Sequence, residues 1–133
     1  MHWTVWSAKL GWFLAALVGP LLLLLLAAGV AQADAVVGNG TPGSCTNAAY
    51  ATAVAGGGSV TFNCGPAPAT ITVTTRIIQA SQVVTIDGGG LITLSGQGAL
   101  QHFLVLNDGT LALRNLTLVQ GSFSGGGALF VRP

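Results

Sequence analysis

The sequence contains no Glu, a single Lys (Lys9), one Met and two Cys, and only 5% of its 133 residues are charged. Each scarcity removes a class of function. Beyond Lys9 the cations are Arg76, Arg114 and Arg132. They form no basic stripe to neutralise phosphates, so nucleic-acid binding has no electrostatic basis. The carboxylates are Asp34, Asp87 and Asp108 alone, which leaves little for general acid–base work or for a hard metal ion. From residue 34 onward three Asp balance three Arg. Near-zero charge on β-prone sequence favours association over free solubility.

What is abundant is apolar residues (51%) and Gly (20 residues). Met1–Lys9 is a short positive segment and Leu10–Val30 is apolar, with Leu21–Leu26 an unbroken leucine run. Ala31-Gln32-Ala33 is a small-x-small cleavage pattern. That order is a secretory signal peptide over 1–33, with the mature chain starting at Asp34. The apolar stretch is also long enough to span a bilayer as a retained anchor. Gly19-Pro20 and the adjacent cleavage pattern favour cleavage. Trp3, Trp6 and Trp12 suit a membrane interface. Export sets the redox compartment. An even cysteine count in an exported chain reads as a disulfide, Cys45–Cys64, rather than half of a metal site that lacks partner ligands.

Residues 46–55 (TNAAYATAVA) are the one helix candidate after residue 34, capped by Thr46 and stopped by Gly56-Gly57-Gly58. Ala49, Tyr50, Ala53 and Val54 share its apolar face. Ahead of it, 34–44 is a short extended piece and a Gly/Pro turn. Behind it the period changes to two. SVTFNC (59–64) and ATITVTT (69–75) alternate, with Val60, Phe62, Ile71 and Val73 facing one way. Then β-prone runs ending in Gly or Asp/Asn-Gly recur: TIDGGG (85–90), LITLSG (91–96), FLVLNDG (103–109), LALRNLTLVQG (111–121) and GGALFV (126–131). Short punctuated strands with no helix between them describe a stacked solenoid. The helix serves as its cap, covering the first coil's open edge.

Three motifs invite chemistry. Gly38-Asn39-Gly40-Thr41-Pro42-Gly43 matches G-x-G-x-x-G, but no acidic residue follows at the required distance and no βαβ unit surrounds it. A lead-in turn accounts for it. Asp87, Asp108 and His102 can be assembled on paper into a hydrolytic site. Asp87-Gly88 and Asn107-Asp108-Gly109 are turn dipeptides first, and His102 has no sequence-adjacent nucleophile. No nucleophile elbow exists, since 121–125 reads GSFSG. Asn115, inside LRNLTL, reads as a buried corner amide satisfying backbone groups, or else as an exposed residue in a bulge. The buried reading is the one favoured. Asn39 and Asn115 also begin N-x-T triplets, the glycan acceptor pattern.

The ordered series GTPGSC, TNAAYATAVAGGGSVTFNCGP, TIDGGG, LALRNLTLVQG and GGALFV resembles the amino-terminal part of exported right-handed parallel β-helix proteins. These have the pectin-lyase-like fold and include polymorphic outer-membrane-protein-like and adhesin-like surface proteins. The resemblance covers about 40–133. It implies an all-β, right-handed parallel β-helix with a short capping helix after a signal-peptide helix. Its parts would be a signal peptide at 1–33, a cap at 34–58 and first coils at 59–133, ending in mid-coil as a truncated product of a longer protein would. It implies a secreted or surface-exposed, non-catalytic scaffold for display, adhesion or carbohydrate contact. No cofactor and no metal is expected. The expected partners are cell-surface polysaccharide or protein, with self-association through the open last coil. Asp87, Asn107, Asp108 and Asn115 are expected as structural turn residues. The rival implication is the front of a β-helix polysaccharide lyase or glycoside hydrolase whose active site lies outside this segment.

Overall fold

The computed structural model describes residues 34–124 and 127–132. The expected signal peptide and cleavage site and the three tryptophans therefore lie outside the described residues. The chain runs β1 (Ala35–Val37), a 3-10 turn (Pro42–Ser44), α1 (Asn47–Ala55), β2 (Gly58–Phe62), β3 (Ala69–Thr72), β4 (Ile77–Ala80), β5 (Val83–Leu100), β6 (Phe103–Leu106), β7 (Thr110–Gly121) and β8 (Leu129–Arg132). The fold is mostly β.

Every strand pairing among the described residues is parallel. One curled sheet runs β1-β2-β5-β3 with β7 on the far side of β5. A second sheet runs β4-β6-β8. β5 is long enough to turn a corner: its first part pairs with β2 and its second with β3. β7 follows both parts.

Register follows the apolar alternation. Ala35, Val60, Ile86 and Leu113 form one row across four strands. Ile71, Leu94 and Leu118 form a second, and Ile77, Phe103 and Leu129 a third. Corresponding residues recur at roughly 25-residue intervals, which is the length scale of a repeated structural unit. A one-residue slip in any strand would send its whole apolar set outward, so burial itself enforces the register. Val60, Val84, Ile86, Leu94 and Phe103 are completely buried. Each such side chain contributes on the order of 1.5–3 kcal/mol.

At the head of the sheets sits α1. Thr46 accepts a hydrogen bond from the Ala49 amide at 3.2 Å, satisfying one of the helix's free donors. Tyr50, Ala53 and Val54 are buried, and the helix packs on β1 and β2. Asn47 Oδ1 accepts from the Thr74 amide at 3.1 Å, tying the helix start to the segment that follows β3. Cys45 and Cys64 are disulfide-bonded across a separation of 19 residues. In the chain-entropy picture this loop closure contributes about 3 kcal/mol.

The Gly38–Gly43 segment is tied down rather than a loose lead-in. The Asn63 amide donates to Val37 O at 2.8 Å and the Gly40 amide donates to Asn63 O at 2.7 Å. Gly38 has φ +93°, and a Cβ there would meet Cys45 Sγ at 2.5 Å and Asn63 O at 2.6 Å. The first glycine of the apparent dinucleotide motif thus serves the disulfide bend.

Candidate functional surface

The residues that suggested catalysis are held apart. Asp87 ends the first straight part of β5, opposite Arg114. Asp108 lies in the turn at the other end of that stretch, where the Gly109 amide donates to Leu106 O and the Thr110 amide donates to Gln82 O at 2.7 Å. Thr110 aligns with Val83 and Arg114 with Asp87. At about 3.3 Å per residue that stretch places the two turns roughly 13 Å apart, beyond the spacing of a glycosidase carboxylate pair. Asn107 adopts φ +50° in the same turn.

Asp87 has a structural occupation. Its Oδ1 accepts from the Gly89 amide at 2.9 Å and from Asn115 Nδ2 at 3.1 Å. The Gly89 bond, then the Asn115 bond, hold its carboxyl below the usual 3.8 against the opposing effect of desolvation, with the Arg114 charge the smallest contribution. Asn115 is exposed, with φ +48°. The buried-amide reading of Asn115 is therefore corrected. β7 turns its corner on this one residue, while β5 uses 88–91. The amide reaches across to the carboxylate of the neighbouring strand and leaves the backbone groups alone. Gly88 is required beneath it, because a Cβ there would come within 2.6 Å of Asn115 O and Leu116 Cβ.

Among the described residues His102 is the most deeply buried titratable side chain after Tyr50. Its Nε2 lies 3.0 Å from Leu94 O, so Nε2–H donates and Nδ1 carries the lone pair. Nδ1 has no hydrogen-bond partner. The backbone of His102 accepts from the Ile77 amide at 3.0 Å and donates to Ala128 O at 3.1 Å. One residue thus stitches three successive passes of the chain. Burial lowers its pKa below 6.5, partly opposed by the bond to Leu94 O. This is a core histidine, and its role was invisible without knowing which carbonyl meets its Nε2.

Two surfaces stand out among the described residues. The first is a row of threonines, Thr70, Thr93 and Thr117, aligned in register on the face opposite Ile71, Leu94 and Leu118. Adjacent strands are about 4.8 Å apart, so the row is a regular hydroxyl ladder. The repeat of Thr at matching positions in ATIT, LITL and NLTL was the available signal for it. Beside the corner, Ser95 Oγ donates to Gln120 Oε1 at 2.7 Å, and the Arg76 guanidinium sits 5.2 Å from the centre of the exposed Phe123 ring. The second surface is an open hollow of about 470 Å³ between α1 and β1, lined by Val36, Ala48, Ala49 and Thr52 among others. It offers one hydroxyl and no ionisable group, too few convergent polar groups to orient a ligand.

Among the described residues no three His, Cys, Asp or Glu side chains cluster, and no helix is long and apolar enough to cross a membrane. No protein-family model, curated protein or solved structure matches this chain.

Proposed function

We propose that the chain is the amino-terminal portion of an exported right-handed parallel β-helix, and that it serves as a non-catalytic scaffold for surface display, adhesion or carbohydrate contact. The observation that carries the reading is the set of in-register parallel rows, Val60–Ile86–Leu113, Ile71–Leu94–Leu118 and Ile77–Phe103–Leu129, at a near-constant repeat. Coils stacked on that repeat bring β6 back over β4, β8 over β6 and β7 over β5. The Cys45–Cys64 disulfide is consistent with an oxidising, exported location. The hydroxyl ladder of Thr70, Thr93 and Thr117 supplies a flat, uncharged polar face suited to neutral polysaccharide. The turn roles of Asp87 and Asp108 favour a scaffold over a hydrolase.

Two experiments on the native host test this. Protease applied to intact cells should remove the chain, and the chain should carry an oxidised Cys45–Cys64 pair. A protease-resistant chain with free thiols would sink the export reading. A glycan array probed with the chain and with Thr93→Val tests the contact face. Neutral polysaccharide binding that weakens in the variant supports it, and identical binding by both chains removes the threonine row from the account.

A further inference from the structure

The glycine-rich segment that serves the disulfide bend also holds a reactive pair. Asn39-Gly40 is the single Asn-Gly step in the sequence. Such a step is chemically labile. The amide nitrogen that follows an Asn can attack the side-chain carbonyl carbon, and Gly, with no Cβ, hinders that approach least. Both residues are exposed, so water reaches them.

The structure treats the two reacting groups in opposite ways. The electrophile is primed. Thr41 Oγ1 donates to Asn39 Oδ1 at 3.0 Å, which polarises the side-chain carbonyl as an oxyanion donor would. That bond spans two residues and needs no more than the local turn. The nucleophile is held back. The Gly40 amide donates to Asn63 O at 2.7 Å, and this nitrogen must lose its proton before it attacks. A carbonyl accepts a hydrogen bond but takes no proton, so the contact stabilises only the unreactive N–H form.

Asn63 is itself anchored. Its amide donates to Val37 O at 2.8 Å, and the next residue, Cys64, is bonded to Cys45. On the other side of the bend, the Asn39 amide donates to Ser44 Oγ at 2.9 Å, beside Cys45. The cross-link therefore holds both sides of the clamp.

We propose that Asn39 is a self-modification site, kept unreactive by the Asn63 carbonyl for as long as the Cys45–Cys64 disulfide is intact. A dithiol reductant gives two electrons and two protons to that disulfide and becomes a disulfide itself. Asn63 then leaves Gly40. The Gly40 nitrogen gives its proton to solvent and bonds to Asn39 Cγ, and the side-chain nitrogen takes a proton from solvent and departs as ammonia. Water opens the resulting cyclic imide at either carbonyl, leaving aspartate or isoaspartate. Either product adds one negative charge to a region in which three Asp balance three Arg. Isoaspartate also lengthens the backbone by one carbon, so Gly40 no longer meets Asn63 in the same register. A chain that has once been reduced keeps the mark. The inference stands apart from the scaffold reading, since it uses only the cap.

The test holds the whole chain, as its host leaves it, in mildly alkaline buffer, either oxidised or reduced with its thiols alkylated. Peptide mass mapping reads conversion at each Asn, and isoaspartyl methyltransferase labels the isoaspartate. Asn39 should convert about tenfold or more faster in the reduced chain, while Asn107 and Asn115 stay slow in both. Equal Asn39 rates in the two forms would overturn the proposal. The Cys45→Ser, Cys64→Ser double variant should match the reduced chain with no reductant present; a double variant as slow as the oxidised chain would also overturn it. Amide exchange separates a local clamp from general unfolding. Gly40 should be protected in the oxidised chain and exposed after reduction, with β5 still protected. Loss of protection throughout the chain would remove the clamp from the account. Thr41→Val should slow conversion of the reduced chain severalfold, and an unchanged rate would overturn the priming role of Thr41.

Discussion

The first described passes of the chain, its head, and the last, its tail, carry matching apolar rows and are covered to different extents. At the head, β1 and β2 are covered by a capped helix whose Tyr50 and Val54 are fully buried, and a disulfide pins the entry. At the tail, β7 continues every row of β5 yet leaves its leucines half-covered. A side chain's worth therefore depends on which pass of the chain holds it, even when residue type and row are the same. In a stacked repeat, stability is carried by neighbours on both sides.

The sharpest way to break that comparison is a pair of identical truncations in one row. Leu94→Ala should cost about 3–4 kcal/mol, because the middle strand cannot collapse onto the space left behind. Leu118→Ala, one strand further, should cost about 1 kcal/mol, in proportion to the smaller area it removes from water. Urea denaturation of both variants checks it; equal losses would mean that the tail is as well covered as the middle. Reduction of Cys45–Cys64 should come next, lowering stability by about 3 kcal/mol. The loss should appear first as exchange of the α1 and β1 amides, and a reduced protein with an unchanged melting temperature would show that the helix holds the head alone.

His102 supplies a pH-dependent probe nearer the tail, since its backbone binds Ala128. Its folded pKa lies below 6.5 because burial penalises the imidazolium. The unfolded chain therefore takes up the proton first as pH falls. Stability should be full above about pH 6.5, decline below it, and level off once the folded pKa is passed. Asp87, whose folded pKa is lowered below 3.8, adds a second decline only below that value. His102→Gln should abolish the upper decline and keep the lower one, as read from urea midpoints between pH 7 and pH 3. An undiminished upper decline would place the titrating group elsewhere.

The smallest effect belongs to the head. Tyr50 is fully buried with its hydroxyl unpartnered, and burial pushes its pKa well above the ordinary value of 10.0. Its ring stacks on Phe62 with centroids 6.3 Å apart. Tyr50→Phe keeps the ring and removes the unsatisfied group, so thermal stability should be unchanged or raised by up to about 1 kcal/mol. A clear loss would reveal a partner for that hydroxyl.

Much of the strand content was legible in the sequence because burial writes itself as alternation. Val60, Ile71 and Val73 alternate with polar residues and are buried, and Thr46 before an Ala-rich run marks the start of α1. Contacts that depend on which strand lies beside which were not legible. Asn115 in LRNLTL has the same local signature whether its amide turns inward to backbone or outward to Asp87, and the partner lies 28 residues away. His102 reads as a stray polar residue until Leu94 O is placed beside its Nε2. The threonine row is likewise a property of register, visible in the sequence only as a spacing.

Amide hydrogen exchange by NMR tests this comparison of head and tail most directly. The account predicts strong protection in β2 and β5, intermediate protection on the inner edge of β7, and fast exchange of the outward amides of β7 and β8. Uniform protection from β2 through β8, or a β2 that exchanges faster than β7, would contradict it.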